Sequence, residues 1–338
     1  MRKFAWGIVA GAVSVFGGLA AAYGAIATIW PDNLPAPAIT RLVLFDEKLR
    51  FLRQHPEASP TILAVGSSIT WRQLDGNAFD GMTRGTAGGF LNGATGHLRV
   101  HQTQDLVEFY LDQYLAVRTV LIMTGPPDFA DCSTEPAAML DHSDGAAYAF
   151  GDWPAAYFYF RYFAPQRYAR TAWTLAERRD PMVGDLFLDD YGSGPLQVPE
   201  SKQHGLRYGL IDLDPACSGV LARLSQTLTA QDRGLVVVFT PIHPDYRLQY
   251  PDVVAWLDRV ARELARATST DNTVVLRLNA SPAYEEADFF DAFHLQWPAV
   301  QRLSTDIVQA IAADPRLGAV EMSKAAARTR PAASPSPM

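Results

Sequence analysis

Five short apolar runs, separated by amphipathic stretches, limit this chain to very few architectures. They are Thr61–Val65, Gly89–Asn92 with a continuation to Thr95, Thr119–Thr124, Leu235–Thr240 and Thr273–Leu278. Most are rich in Val, Ile and Leu and lack polar alternation, the pattern of strands covered on both faces. Helical spacing falls between and around them: Ile39–Gln54 (Leu42, Leu44, Phe45, Leu49, Leu52), Leu98–Leu115, Val220–Gln231, Val253–Ala267 and Val300–Ala312. Strand–helix alternation of this kind predicts an α/β fold, a parallel sheet of about five strands with helices on both faces.

The first 30 residues need a different explanation. Phe4 to Trp30 carries no charge and follows Arg2 and Lys3. As a helix it would span roughly 40 Å at 1.5 Å per residue, enough to cross a hydrocarbon core of about 30 Å. The run exceeds the apolar core of a cleaved signal peptide, so the reading is an uncleaved signal anchor, a transmembrane helix over 1–30. Cleavage near Ala21–Ala27 is the alternative, and both export the rest of the chain. Residues 31–38 are a proline-broken linker, residues 39–318 the main domain, and 319–338 an Ala/Pro/Ser/Arg-rich tail expected to be disordered.

The net charge of −7 and the lack of a basic run exclude nucleic acid as an expected partner. There are two cysteines, Cys132 and Cys217. Export to an oxidising compartment, with no metal-type spacing, predicts a disulfide between them; two unrelated thiols are the alternative. They bracket an insertion, residues 129–218, rich in aromatics (Tyr148, Phe150, Trp153, Tyr157, Phe158, Tyr159, Phe160, Tyr162, Phe163). Emerging at the carboxyl ends of the strands, these aromatics serve either as a wall over a ligand or as a small core of their own.

Two motifs carry chemistry. Gly66-Ser67-Ser68-Ile69 follows the first strand, so a serine stands at the top of a tight turn. Asp291-Ala292-Phe293-His294-Leu295 sets a carboxylate and an imidazole three residues apart. A serine hydroxyl needs a base to become nucleophilic, and the base needs an orienting acid. His294 and Asp291 can take those parts for Ser68. His243, in Thr240-Pro241-Ile242-His243-Pro244, and Asp128 are candidates for binding substrate on the same side. His97, His101, His142 and His204 show no metal spacing, and no nucleotide motif is present, so no metal or cofactor is expected.

These blocks resemble the SGNH (GDSL-type) hydrolases. Gly66-Ser67-Ser68-Ile69 is similar to the first family block, Gly-Asp-Ser-Leu, which makes Ser68 the nucleophile. Asp291-x-x-His294 is similar to the last block. Asn92-Gly93-Ala94-Thr95-Gly96 is similar to the second, whose glycine N–H joins the nucleophile's own N–H in the oxyanion hole; Gly96 is that glycine, with Gly93 as the fallback. The resemblance spans about Thr61 to Ala312, outside the insertion, and implies a flavodoxin-like sheet. The third block departs from Gly-x-Asn-Asp. Gly125-Pro126-Pro127-Asp128 has Pro127 where the asparagine donor belongs, and Ser67 replaces the acid of the first block.

With the anchor, these departures resemble exported SGNH-like proteins of cell-envelope O-acetylation. The resemblance implies an acyl-transfer enzyme, an O-acetyltransferase or acetylesterase acting on polysaccharide. It also implies a single-pass protein of a bacterial inner membrane, its catalytic domain in the periplasm, acting beside a membrane-bound O-acyltransferase. A carboxylesterase of small esters, and a non-catalytic envelope scaffold binding glycan or the acyltransferase, are the competing readings.

Overall fold

The computed structural model describes residues 34–83, 89–203 and 205–317, together with isolated positions before residue 34. The expected anchor over 1–30, most of its linker's start, the tail over 319–338 and His204 lie outside the described residues. Among the described residues no helix is long and apolar enough to cross a membrane.

The chain divides into two compact units. The larger holds residues 57–139, 181–183 and 187–338. Its elements in chain order begin with β1 (Ile62–Ala64), α2 (Ser68–Arg72), α3 (Gly76–Thr83), β2 (Phe90–Asn92), α4 (Val100–Gln113) and β3 (Thr119–Thr124). There follow α8 (Val220–Ala230), β4 (Gly234–Phe239), α9 (Pro244–Gln249), α10 (Pro251–Ala267), β5 (Thr273–Arg277) and α11 (Trp297–Ala313). The strands form one five-stranded sheet in the order β2-β1-β3-β4-β5. Every pairing is parallel, with Ile62 opposite both Phe90 and Thr119, Thr119 opposite Gly234 and Leu235 opposite Thr273.

This 2-1-3-4-5 order is the flavodoxin-like arrangement. Right-handed crossovers then assign the helices to faces. The β1-to-β2 connection runs one way and puts α2 and α3 on one face; the later connections run the other way and put α4, α8 and α10 on the opposite face. The packing follows this division, since α3 meets α11 while α4 meets α8. β3 and β4 are buried along their whole length, which is why their sequences show no alternation. Helix α10 buries Val253, Leu257, Ala261 and Leu264, and α11 buries Val300, Leu303, Ile307 and Ile311, each a single apolar stripe.

The second expected run stops being a strand at Asn92. Beyond it the backbone turns in to meet the first block: Gly93 N–H donates to the Ala64 carbonyl (2.8 Å) and Thr95 N–H to the Gly66 carbonyl (3.0 Å). Asn92 itself stabilises this loop. Its Oδ1 accepts from Ala94 N–H, and its Nδ2 donates to the Thr70 and Trp71 carbonyls and to Ser193 Oγ.

The smaller unit holds residues 1–56, 140–180 and 184–186. It contains α1 (Val43–Gln54), α5 (His142–Ala149), α6 (Ala155–Arg161) and α7 (Pro165–Arg178). Helix α1 starts at Val43, not Ile39. Asp46 Oδ1 accepts from Thr40 N–H (2.7 Å) and Glu47 Oε1 from Ala36 N–H (2.8 Å), so the preceding segment is folded back on the first turn instead of continuing the helix. These buried carboxylates are paired with arginines, Asp46 with Arg167 and Glu47 with Arg50 (2.6 Å) and Arg179 (2.9 Å). Here the inserted aromatics form a core of their own. Tyr148 packs edge-on to Phe158 (5.1 Å), and Tyr159 to Tyr168 (5.8 Å).

In the larger unit Cys132 and Cys217 are bridged, 85 residues apart. Two hydrogen bonds reinforce the closure, Asp214 N–H to the Phe129 carbonyl (2.8 Å) and Ser133 N–H to Asp214 Oδ2 (2.6 Å). A loop of this length restricts the unfolded chain by roughly 4–5 kcal/mol in the entropy model. The double variant Cys132→Ala/Cys217→Ala is expected to lose stability of that order, read as a lower urea midpoint at unchanged slope.

Candidate active site

The site lies at the carboxyl ends of β1, β2 and β3, where the strand order reverses, the position at which open α/β sheets place their ligands. Gly66 makes the turn after β1. Its φ is +156°, and a Cβ there would come within 2.2 Å of Thr70 Oγ1, so a side chain is excluded. Thr70 Oγ1 donates to the Met123 carbonyl (2.8 Å), which ties the turn to β3. Ser67 then caps α2, its Oγ accepting from Ile69 N–H (3.2 Å). Ser68 is the first residue of that helix.

Asp291 organises the opposite loop. Its Oδ1 accepts from the backbone N–H groups of Phe293 and His294, both at 2.9 Å. His294 Nδ1 lies 2.9 Å from both carboxylate oxygens. An imidazole nitrogen facing a carboxylate carries the proton, which leaves Nε2 as an acceptor. Nε2 sits 2.9 Å from Ser68 Oγ. Burial pushes the Asp291 carboxyl up, but the charge of His294 and the hydrogen bonds onto it prevail and hold it below the usual carboxylate range. The structure therefore brings Ser68, His294 and Asp291 into one hydrogen-bonded chain. Gln73 supports it from beneath: Nε2 donates to the Phe293 carbonyl (2.8 Å), and Oε1 accepts from Thr240 Oγ1 (3.2 Å). Nothing in the sequence around Gln73 marks it for this position.

The cleft over Ser68 and His294 has a volume of about 360 Å³. One wall comes from the segment between the cysteines. The Tyr208 ring stands 5.0 Å from Phe293 and 6.2 Å from His294, and Leu210, Ile211 and Asp212 continue the wall. The opposite side is formed by His97, Arg99 and Pro127. So the insertion does both things the sequence left open, but with different residues: Tyr148, Phe158 and Tyr159 make a core, and Tyr208 makes a wall.

The expected oxyanion donors differ in availability. The N–H groups of Ser68 and Gly96 donate to no protein acceptor among the described residues, whereas Gly93 N–H is held by Ala64. Gly93, the fallback, is thereby corrected to a packing residue; a Cβ on it would come within 2.6 Å of the Tyr110 ring. Pro127 lies in the cleft, and its carbonyl accepts from Arg99 Nη1 (3.0 Å).

His97 was not singled out by the sequence. It follows Gly96, has a φ of +60° and presents its ring to the cleft. A left-handed backbone at a non-glycine residue costs energy and collects at functional sites. Partial removal from water, then the positive charges of Arg99, His294 and Arg207, lower its pKa and favour the neutral ring. The ring makes no hydrogen bond to protein among the described residues.

The two expected substrate binders are engaged elsewhere. His243 is buried; its Nδ1 accepts from Asp245 N–H (3.1 Å), capping α9, and its ring packs on Phe289 (5.2 Å). Asp128 borders the cleft but is only 4% exposed, and its Oδ2 accepts from Thr124 Oγ1 (3.0 Å) and Gly125 N–H (3.2 Å). It also accepts from the Ser67 hydroxyl, which links the end of β3 to the nucleophile turn. Among the described residues no cluster of His, Cys, Asp or Glu is arranged to hold a metal ion. No family model matches this chain, and no curated protein matches it significantly.

Burial pushes the Asp128 carboxyl up to about 6, against the hydrogen bonds that favour its charge. The folded state thus holds this proton more tightly than the unfolded chain does. Stability is lost as pH rises from about 4 through about 6, by up to about 3 kcal/mol. In Asp128→Asn, urea unfolding measured at intervals between pH 4 and 7.5 is expected to show a smaller decline.

Proposed function

We propose that this protein is a serine-dependent acyl-transfer enzyme of SGNH type. On this reading it is exported, held to a membrane by residues 4–30, and moves an acetyl or similar short acyl group onto or off a polysaccharide. The observation that carries the proposal is the Ser68–His294–Asp291 chain with a 2.9 Å contact at each step, set at the carboxyl edge of a parallel sheet. Ser68 Oγ attacks the acyl carbonyl while His294 Nε2 takes its proton. The imidazolium, stabilised by Asp291, returns that proton to the leaving oxygen. The acyl-serine is then resolved by a hydroxyl that His294 deprotonates.

Negative charge develops on the carbonyl oxygen in the first step. The N–H groups of Ser68 and Gly96 are free to receive it. Pro127 offers neither an N–H nor a polar side chain, and His97 takes the place of that third donor. A neutral imidazole can donate one hydrogen bond without a net charge that would bind the ground state as well. The acceptor reading rests on the wall. Tyr208 offers an aromatic face and Asp212 a carboxylate to a polyol in a cleft of sugar size, beside the Arg99–Asp131 ion pair (2.6 Å). A missing asparagine favours a non-catalytic scaffold; the assembled triad weighs against it.

A serine-reactive phosphonate is expected to label the wild type and not Ser68→Ala; equal labelling defeats the proposal. With an activated acetyl ester, Ser68→Ala and His294→Ala are expected to lose at least about 10⁴-fold in kcat. Adding oligosaccharide should divert acetyl from water to sugar. Acetate release unaffected by any glycan points to a simple esterase. His97→Ala is expected to lower kcat by about 10²-fold at nearly constant KM, the cost of one oxyanion donor, with partial recovery in His97→Asn.

A further inference from the structure

The exposed aromatic side chains are unevenly distributed. In the smaller unit Trp153 is 55% exposed, Tyr157 38%, Phe160 47%, Phe163 59% and Trp173 89%. Trp153, Tyr157 and Phe160 recur at intervals of four and three residues, so they share the outward side of α6 and the turn before it. The inward side carries Phe158 and Tyr159, which are buried. A water-facing helix seldom shows one aromatic face inward and a second outward, and contiguous exposed apolar surface marks an interaction site.

Two further observations say what covers this surface. Gly24, a residue of the apolar N-terminal run, lies against it: a Cβ there would stand 3.3 Å from the Phe160 ring. Residues 150–176 hold Arg161, Arg167 and Arg170; Arg161 pairs with Asp144 (2.7 Å) and Arg167 with Asp46, while Arg170 is exposed. Trp, Tyr and Phe beside arginines, next to an uncharged apolar segment, is the composition of a layer at lipid headgroup depth.

We infer that the outward face of α6, with Trp153, Tyr157, Phe160 and Phe163, rests in the headgroup layer of an anionic bilayer. The unit is thereby seated on the membrane that, on the proposed reading, its N-terminal segment enters, with the exposed Arg170 available to anionic lipid. This inference rests on the proposed membrane attachment through residues 4–30 and not on the serine chemistry.

The full-length protein in nanodiscs of phosphatidylcholine and phosphatidylglycerol provides the test. Because Cys132 and Cys217 are bridged, a cysteine introduced as Tyr157→Cys or Phe163→Cys takes an environment-sensitive NBD label selectively. Leu248→Cys, at an 81% exposed position of the other unit, serves as the control. Lipid carrying a doxyl group near the top of its acyl chain is expected to quench the labels at 157 and 163 and to leave 248 bright. Native fluorescence is the second readout: Trp153→Phe should lose a component quenched by brominated lipid. Labels at 157 and 163 quenched no more than at 248, together with unchanged Trp quenching, overturn the inference. So does shielding of these positions that requires a second protein and is absent with lipid alone.

Discussion

An imidazole accepts a hydroxyl proton only within hydrogen-bond distance. Here that contact joins two residues 226 apart in sequence. Most of the larger unit can be understood as the means of keeping it. Parallel pairing of β1 with β3 fixes where the first turn ends. Gly66 lets the turn close against Thr70, and α2 then begins at Ser68. On the far side, Asp291 holds the backbone N–H groups of its own loop as well as the His294 ring. Gln73 joins the two halves through the Phe293 carbonyl. The contacts made by Asp291 and Gln73 are short and buried, and buried polar groups with satisfied partners specify a single arrangement.

The departures from the familiar motif become intelligible together. Ser67 replaces an acid in the first block, and Asp128 sits beneath it, accepting the Ser67 hydroxyl. Pro127 removes a donor from the cleft, while His97, on a strained backbone beside Gly96, brings a polar ring into it.

The insertion is divided between two tasks. One stretch folds with α1 into a helical unit with buried Asp–Arg and Glu–Arg pairs and its own aromatic core. Another returns to the larger unit, where the disulfide closes it, and contributes Tyr208 to the cleft. Composition alone described the insertion as aromatic-rich. It did not distinguish aromatics that bury one another from the single tyrosine that meets His294, because both uses demand the same residue type.

Much of the fold was legible in the sequence. Strands buried on both faces need unbroken Val, Ile and Leu, and all five runs are strands. Helix stripes fell within a few residues of the observed limits. The main boundary error was α1, where Asp46 and Glu47 accept backbone N–H groups from the preceding segment, a long-side-chain interaction that periodicity does not record. The triad residues were legible because a glycine-serine turn after a strand, and an Asp-x-x-His loop, are local necessities of placing those side chains. His243 caps a helix, a use the sequence does not separate from binding a substrate, since both call for a polar side chain past a strand.

By itself, then, the chain's residue order settled which segments lie inside and which short turns hold Ser68, Asp291 and His294, since both follow from side-chain period and local backbone geometry. Tertiary structure alone decided that His97 faces the cleft, that Asp128 and His243 are occupied by their neighbours, and that Tyr208 forms the wall. Those outcomes depend on what distant segments bring to within a few ångströms, and that distance is written in no single stretch of sequence.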